Sequence, residues 1–315
     1  MDKIAIIIPT FNRKDCLSRL LGQLKSQVLD GVEMSIVVVV DGSTDGTLEM
    51  LNSEFPDVHI VQGDGDWWWT RSINEGCRYA AEKGAEAVLL MNDDTEVGNR
   101  FVAPLLEKSR EYPGAVIGSL NVTKEEPCRI YFSGVKKITW WNAKSYRYHK
   151  AFECYDGSLS GLYESVILMG RGLFIPISVF DRIGFFDERA FPQYKADVDF
   201  VLTAFERGID TFISWDSIVY SHMGLTGRGV TFTSQGFFGF LGSFFGKNTC
   251  NNLLHSFRYY WKHCPWYLLP LSYIVDKFRL VYSYLAKRKL SSEFSQKFLE
   301  VQEPFFKKVP GRRRH

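Results

Sequence analysis

Unbroken apolar runs alternate along the chain with stretches in which apolar residues recur every three or four positions. Residues 4–8 are apolar at every position, the pattern of a strand covered on both faces. Pro9-Thr10-Phe11-Asn12 then turns the chain, and Leu17, Leu20, Leu21 and Leu24 share one face of a helix over about 13–27. Residues 35–40 repeat the buried-strand pattern and run into Asp41-Gly42-Ser43-Thr44-Asp45-Gly46, after which a helix is expected over 47–53 and a short strand over 58–61. Ile73, Cys77, Ala80 and Ala81 predict a helix over 70–83, and residues 87–91 a fourth strand that ends in Asn92-Asp93-Asp94-Thr95. This alternation predicts an α/β fold, a mostly parallel doubly wound sheet flanked by helices, with ligands at the carboxyl ends of the strands.

Further along, helices are expected over 101–110, 179–183 and 197–207, the last with Phe200, Val201, Ala204 and Phe205 facing the core. Strands are expected over 115–122 and, briefly, over 211–214 and 218–221; residues 123–165 mix aromatics and glycine and predict irregular strands and loops. After Gly229 the character changes: 232–246 is rich in Phe and Gly, and 252–290 is helical in pattern but broken at Pro265 and Pro270. No internal repeat or low-complexity linker interrupts the chain.

With 315 residues, 45% hydrophobic and 23% charged, the composition is that of a globular chain and excludes a disordered or collagenous one. The net charge of +2 conceals a split. Residues 1–231 carry 24 Lys+Arg against 32 Asp+Glu, net −8, whereas residues 232–315 carry 14 against 4, net +10. The last 84 residues also hold 20 aromatics. A basic, aromatic tail on an acidic body is expected to meet an anionic surface. The six cysteines are scattered without metal spacing, as in a reduced cytoplasmic protein. Asp2 and Lys3 lead into an apolar run too short for a signal peptide, and the longest apolar stretch, 265–275, stops at Asp276 and Lys277, so no membrane-crossing helix is expected.

Acidic residues gather at strand ends and turns: Asp41, Asp64 with Asp66, Asp93 with Asp94, and Asp197 with Asp199. Each pair alone reads as a turn or a helix cap. Several carboxylates converging on one sheet edge favour a divalent cation, Mg²⁺ or Mn²⁺, shared with a phosphate ligand.

Ile6-Ile7-Ile8-Pro9-Thr10-Phe11-Asn12-Arg13, Val39-Val40-Asp41-Gly42-Ser43-Thr44-Asp45-Gly46-Thr47 and Leu89-Leu90-Met91-Asn92-Asp93-Asp94-Thr95, in this order and spacing, resemble the family 2 glycosyltransferases with the GT-A fold. The stretch from Gly63 through Trp67-Trp68-Trp69 to Asn74 resembles the family's rhamnosyltransferase-like subgroup, and the likeness covers roughly residues 4–225. It implies that Thr10, Arg13, Asp66, Arg71 and Asp93 line the donor site, and that Asp41 accepts from the pyrimidine imide N–H. The family's DxD motif stands here as Asn92-Asp93-Asp94, leaving Asp94 as the metal ligand, with His222 matching a third metal position or serving as an ordinary histidine. Asp197, with Asp199 as the alternative, matches the general base that deprotonates the acceptor hydroxyl. Arg71 and the cation would stabilise the departing diphosphate.

Three consecutive tryptophans cannot share one core, so Trp68 and Trp69 are expected to stack on a sugar or base, with packing as the alternative. Gly170-Arg171-Gly172 resembles an acceptor-side loop, where a Gly172→Val change is expected to harm binding more than stability. The expected division is a catalytic domain over 1–231, with a nucleotide-sugar half to about 98 and an acceptor half beyond it, and a helical region over 232–315. Arg258–Lys262 and Lys287-Arg288-Lys289, beside Phe237, Phe238, Phe240, Phe244 and Phe245, suit an interfacial helix on an anionic membrane or a packed helical subdomain; Arg312-Arg313-Arg314 suits a frayed end. No nucleic-acid motif is present. The resemblance thus implies a cytoplasmic, metal-dependent, inverting transferase that uses dTDP-rhamnose, a glycan or lipid-linked acceptor, and works in surface-polysaccharide synthesis. A UDP-hexose or UDP-galactofuranose transferase, or an inactive binding protein of the same fold, remain as alternatives.

Overall fold

The computed structural model describes residues 3–29, 31–222, 236–246 and 249–302, with side chains to 285. Lys287-Arg288-Lys289 and Arg312-Arg313-Arg314 therefore lie outside the described side chains. The chain opens with β1 (Lys3–Thr10), α1 (Lys14–Lys25), β2 (Glu33–Asp41), α2 (Thr47–Glu54), β3 (His59–Gly63), α3 (Trp68–Glu82) and β4 (Ala87–Leu90). Strands β1, β2, β3 and β4 pair in parallel, and β4 lies beside β1 on the side away from β2. Successive side chains of a strand point to opposite faces. Ile4, Ile6 and Ile8 accordingly pack with α1 and α2, while Ala5 and Ile7 pack with Ile73, Cys77 and Ala80 of α3.

Then follow β5 (Thr95–Val97), α4 (Val102–Glu111), β6 (Val116–Thr123), β7 (Ile130–Phe132), the hairpin β8 (Val135–Thr139) and β9 (Lys144–Arg147), β10 (Leu162–Glu164), β11 (Leu173–Pro176), α5 (Ile177–Ile183), α6 (Ala196–Glu206) and β12 (Thr211–Ser221). The main sheet runs β10-β12-β6-β11-β4-β1-β2-β3. It is mixed rather than uniformly parallel, because β11 runs antiparallel to both β4 and β6. No helix crosses over between β6 and β11; the irregular segment with its hairpin returns the chain from the opposite direction. The two strands expected over 211–214 and 218–221 are one strand, β12, with an irregularity in its pairing between Ser214 and Ile218.

The C-terminal part comprises α7 (Phe237–Gly242), α8 (Leu253–His263) and α9 (Leu269–Gln302). Asn252 caps α8 by accepting from the His255 N–H at 2.9 Å. Helix α8 ends before Cys264-Pro265, while Pro270 sits in the first turn of α9, where its missing N–H costs no helical bond. These helices pack on the body: Tyr259, Tyr260 and Cys264 share the core on the α3 face of the sheet. Ser272 donates to the Trp140 carbonyl, and Arg279 donates to the carbonyls of Asn142 (2.9 Å) and Ala143 (3.0 Å), fastening α9 to the hairpin tip. Among the described residues, no helix is long and apolar enough to cross a membrane.

Candidate active site

The carboxyl ends of β1, β2 and β4 open into a cavity of about 620 Å³. At the end of β2, the buried Asp41 carboxylate accepts from the N–H groups of Gly65 (2.8 Å), Trp67 (3.0 Å) and Trp68 (3.0 Å). Those bonds fold the 64–68 loop back over the strand ends. A Cβ on Gly42 would lie 2.7 Å from the Gly65 Cα, so the two turns pass backbone against backbone. Asp41 lines the cavity, and its carboxylate already serves this loop.

After β4, Asp93 is buried and accepts from Thr10 Oγ1 (2.9 Å) and Arg13 Nη1 (3.0 Å). Burial pushes its carboxyl up to about 6, against the lowering pull of the Arg13 guanidinium. Arg13 Nη1 also lies 3.2 Å from Asp94 Oδ2, and Arg171 Nη2 lies 3.9 Å from the same oxygen. Two buried atoms here have no hydrogen-bond partner among the described residues: Asp94 Oδ1 and Arg171 Nη1. An orphaned acceptor and an orphaned donor in one cavity wall are costly in a folded chain without a ligand.

The three tryptophans divide. Trp67 lies beneath Arg71, whose guanidinium is 4.9 Å from the ring centroid. Trp68 stands half exposed in the cavity wall with its Nε1 donating to Asp66 (2.7 Å). Trp69 also lines the cavity; its Nε1 donates to Asn92 Oδ1 (3.0 Å), and a Cβ on Gly170 would fall 2.5 Å from its ring. Asp66 and Arg71, expected near the base and diphosphate, are not in the cavity wall. One holds the Trp68 indole and the other stacks on Trp67, and the guanidiniums at the carboxylates belong to Arg13 and Arg171.

Lys195, with φ +74°, turns the chain into α6 and presents Asp197 at the cavity. Asp197 accepts from the N–H groups of Gly170 (3.0 Å) and Val198 (2.9 Å). Asp199, two residues on, lies elsewhere. It is 2% exposed and pairs with Lys262 (2.7 Å) and His263 Nε2 (2.9 Å) of α8, while His263 Nδ1 meets Glu206 at 2.9 Å. Burial opposes a charge on His263, but the bonds to Asp199 and Glu206 outweigh it and raise its pKa. Asp199 thus anchors α8 to α6, and it is not among the residues that line the cavity.

His222 approaches Asp94 through its backbone N–H, 3.5 Å from the Asp94 carbonyl, while its Nε2 is 2.8 Å from Glu96. Burial works against an ionised Glu96, yet Lys124 and His222 hold its carboxyl at about 2. The His222 ring is therefore engaged away from the orphaned Asp94 oxygen, and among the described residues no three His, Cys, Asp or Glu side chains gather as a metal cage. A cation shared with substrate phosphates needs only one or two protein carboxylates, and the unpartnered Asp94 oxygen fits that requirement.

Gly172 has φ +77°, and a Cβ there would fall 2.6 Å from Ser119 Oγ. This crowding means that a side chain at 172 would also cost the fold, beyond the effect on binding expected from sequence. Arg171, Gln193 and Lys195, and Tyr259, Tyr260 and Asp276 of the C-terminal helices, complete the wall beyond the residues expected from sequence. The crowded Gly-Arg-Gly turn was the available signal for Arg171; the helical residues carried none.

Residues 5–160 match the family model described as Glycosyl transferase family 2. The chain is 25% identical to the dTDP-rhamnosyl transferase RfbF of Shigella flexneri over 207 residues, 65% of this chain and 64% of that relative. It is 26% identical over 142 residues to the GalNAc(5)-diNAcBac-PP-undecaprenol β-1,3-glucosyltransferase of Campylobacter jejuni, 42% of this chain and 43% of the relative. The solved structure of GalNAc-T7 with UDP, GalNAc and Mn²⁺ superposes with a TM-score of 0.59 at 13% identity, over 88% of this chain and 55% of that one, and shows the GT-A fold. The chain thus matches less than two thirds of the length of each of these proteins.

Proposed function

We propose that the chain, whose residues 5–160 match glycosyl transferase family 2, moves a sugar, with inversion, from a pyrimidine nucleoside-diphosphate donor to a hydroxyl of a glycan or lipid-linked acceptor. The observation that carries this reading is the pair of orphaned atoms, Asp94 Oδ1 and Arg171 Nη1, in the wall of one cavity that also contains Asp197. A diphosphate brings both an oxygen for the guanidinium and a bound cation for the carboxylate. Mg²⁺ or Mn²⁺, when bound, supplies charge that neutralises the departing diphosphate, and Asp94 is the residue that would hold it.

The proposed division of labour follows from the side chains. Arg171 and Arg13 face the charge that develops as the anomeric C–O bond breaks. Thr10 and Arg13 keep Asp93 fixed beside them. Trp68 and Trp69 offer flat faces to the base or sugar. Asp197 takes the acceptor proton while the hydroxyl oxygen bonds to the anomeric carbon on the face opposite the diphosphate, which gives inversion without a covalent intermediate. The name of the Shigella relative favours dTDP-rhamnose, and that of the Campylobacter relative a polyprenyl-linked acceptor. We place the enzyme in surface-polysaccharide synthesis on the cytoplasmic face of a membrane, with residues 1–231 as its catalytic unit and peripheral contact through the remainder.

Thermal shift against UDP-, dTDP-, GDP- and CMP-sugars, each with and without Mn²⁺, tests the reading, because a ligand that binds the folded state raises Tm. A Mn²⁺-dependent shift with dTDP-rhamnose is expected. Absence of a shift with every pyrimidine nucleotide would overturn the proposal.

A further inference from the structure

The C-terminal helices present two opposite sides. Facing the body, Ser272 bonds to Trp140 and Asp276 lines the cavity, while Tyr273 donates to the Leu253 carbonyl of α8 at 3.0 Å and joins the two helices. On the other side of α9, Leu271, Ile274, Phe278, Val281, Tyr282 and Leu285 are exposed by 38–71%. Their spacing of three and four residues makes one continuous apolar stripe along the helix. Leu254, Phe257 and Trp261 form a second stripe on α8, and Trp266 (84% exposed) and Tyr267 (66%) crown the connection between the two helices. Soluble monomers rarely leave so much contiguous aromatic and aliphatic surface in water.

We propose that α8 and α9 form a docking face for an anionic lipid bilayer, and that docking brings the acceptor end of the cavity to the headgroup layer. Charge selects this occupant over a second copy of the chain. The segment that carries the stripes is the one with net +10, so pairing it with itself opposes like charges, whereas an anionic surface attracts it and repels the net −8 body. Trp and Tyr suit the boundary between headgroups and acyl chains. Because no described helix can cross a membrane, α8 and α9 would lie in the interface, apolar side inward. Tyr259, Tyr260 and Asp276 contribute to the cavity from these same helices, so the cavity opens within about one helix diameter, ~10 Å, of the docked surface. An acceptor anchored in lipid would then reach Asp197 without leaving the membrane. This last step rests on the proposed sugar transfer.

The test is co-sedimentation of the full chain with vesicles of phosphatidylcholine alone and of phosphatidylcholine with phosphatidylglycerol in equal parts. The wild type is expected to pellet with the mixed vesicles, less with phosphatidylcholine, and to be released by high salt. An Ile274→Ser/Phe278→Ser double variant should partition at least about tenfold less while keeping its donor-induced thermal shift, since two exposed apolar anchors are removed. Failure of the wild type to pellet with mixed vesicles, or equal pelleting of the variant, overturns the proposal. So does a wild-type dimer in sedimentation equilibrium that the double variant converts to monomer. Vesicle binding without any donor-induced shift would support the docking face while overturning the sugar-transfer reading, so the two failures are distinguishable.

Discussion

Asp197 and Asp199 are separated by one residue, and their exchange for Asn should have opposite consequences. Asp199 is 2% exposed and holds Lys262 at 2.7 Å and His263 at 2.9 Å. Removing one partner of a buried ion pair costs about 3–5 kcal/mol. Asparagine keeps the shape, and Lys262, with its side chain 40% exposed, contributes a screened share, so the lower end, about 3 kcal/mol, applies. At about 2 cal/mol/K of unfolding entropy per residue, the 315-residue chain should lose about 5 °C in Tm. Asp199→Asn is expected to retain most turnover below that melting point. Asp197→Asn keeps an oxygen for one of its two N–H donors and should move Tm by no more than about 2 °C. Its turnover should fall by about a hundredfold to ten-thousandfold, because the proton acceptor is gone. Nucleoside-diphosphate release, measured beside a fluorimetric melt, separates the two variants. Loss of turnover in Asp199→Asn at an unchanged Tm would refute the assignment of the base.

The two arginines provide a second contrast. Arg171→Met should weaken donor binding by at least about tenfold through loss of a charge-assisted bond, while Arg71→Met, which removes stacking on Trp67 and an attraction to the exposed Asp64, should change it less than threefold by about the worth of an exposed cation–π contact; titration calorimetry with dTDP reads both. Gly172→Ala adds a left-handed non-glycine residue and a Cβ 2.6 Å from Ser119 Oγ, so stability should drop by about 3 kcal/mol in urea denaturation. The His263 pKa is raised on folding, so the stability it contributes is complete below the unfolded-state value and is lost as pH rises through the folded-state value. Urea midpoints of the wild type should therefore decline across that window, and those of His263→Gln should not.

The sheet edge was legible because buried parallel strands announce themselves as apolar runs and the residues that follow them sit at the cavity by topology alone. Thr10, Asp41, Asp93 and Asp94 all line the cavity for that reason. Side-chain direction within a loop or a helix turn was not legible. Arg71 lies one helical position beyond Thr70, which is fully buried, and so turns outward onto Trp67. Asp199 lies two positions beyond Asp197, a rotation of about 200° on a helix of 3.6 residues per turn, which carries it to the opposite side of α6. The antiparallel insertion of β11 was hidden because residues 173–176 are apolar in either direction of pairing.

The boundary expected near residue 231 was drawn from composition, and composition cannot distinguish an appendage from a wall. Tyr259 and Tyr260 are aromatic because they pack with the body and close the cavity, whereas Trp261 beside them is aromatic and 70% exposed. The three residues look alike in sequence and face two different media. A helix that buries one aromatic side in the catalytic body and leaves the other in solvent couples them mechanically: displacement of α8 would disturb Tyr259 and Tyr260 together with the Asp199–His263 anchor at the base of α6. Truncation before α8 is therefore expected to strip Asp199 of Lys262 and His263 and to bare the face of α6 that they cover, two residues from Asp197. Such a truncated chain should melt earlier and lose turnover even toward a soluble acceptor. A shortened chain that kept both its Tm and its turnover would show that the helices only decorate the fold.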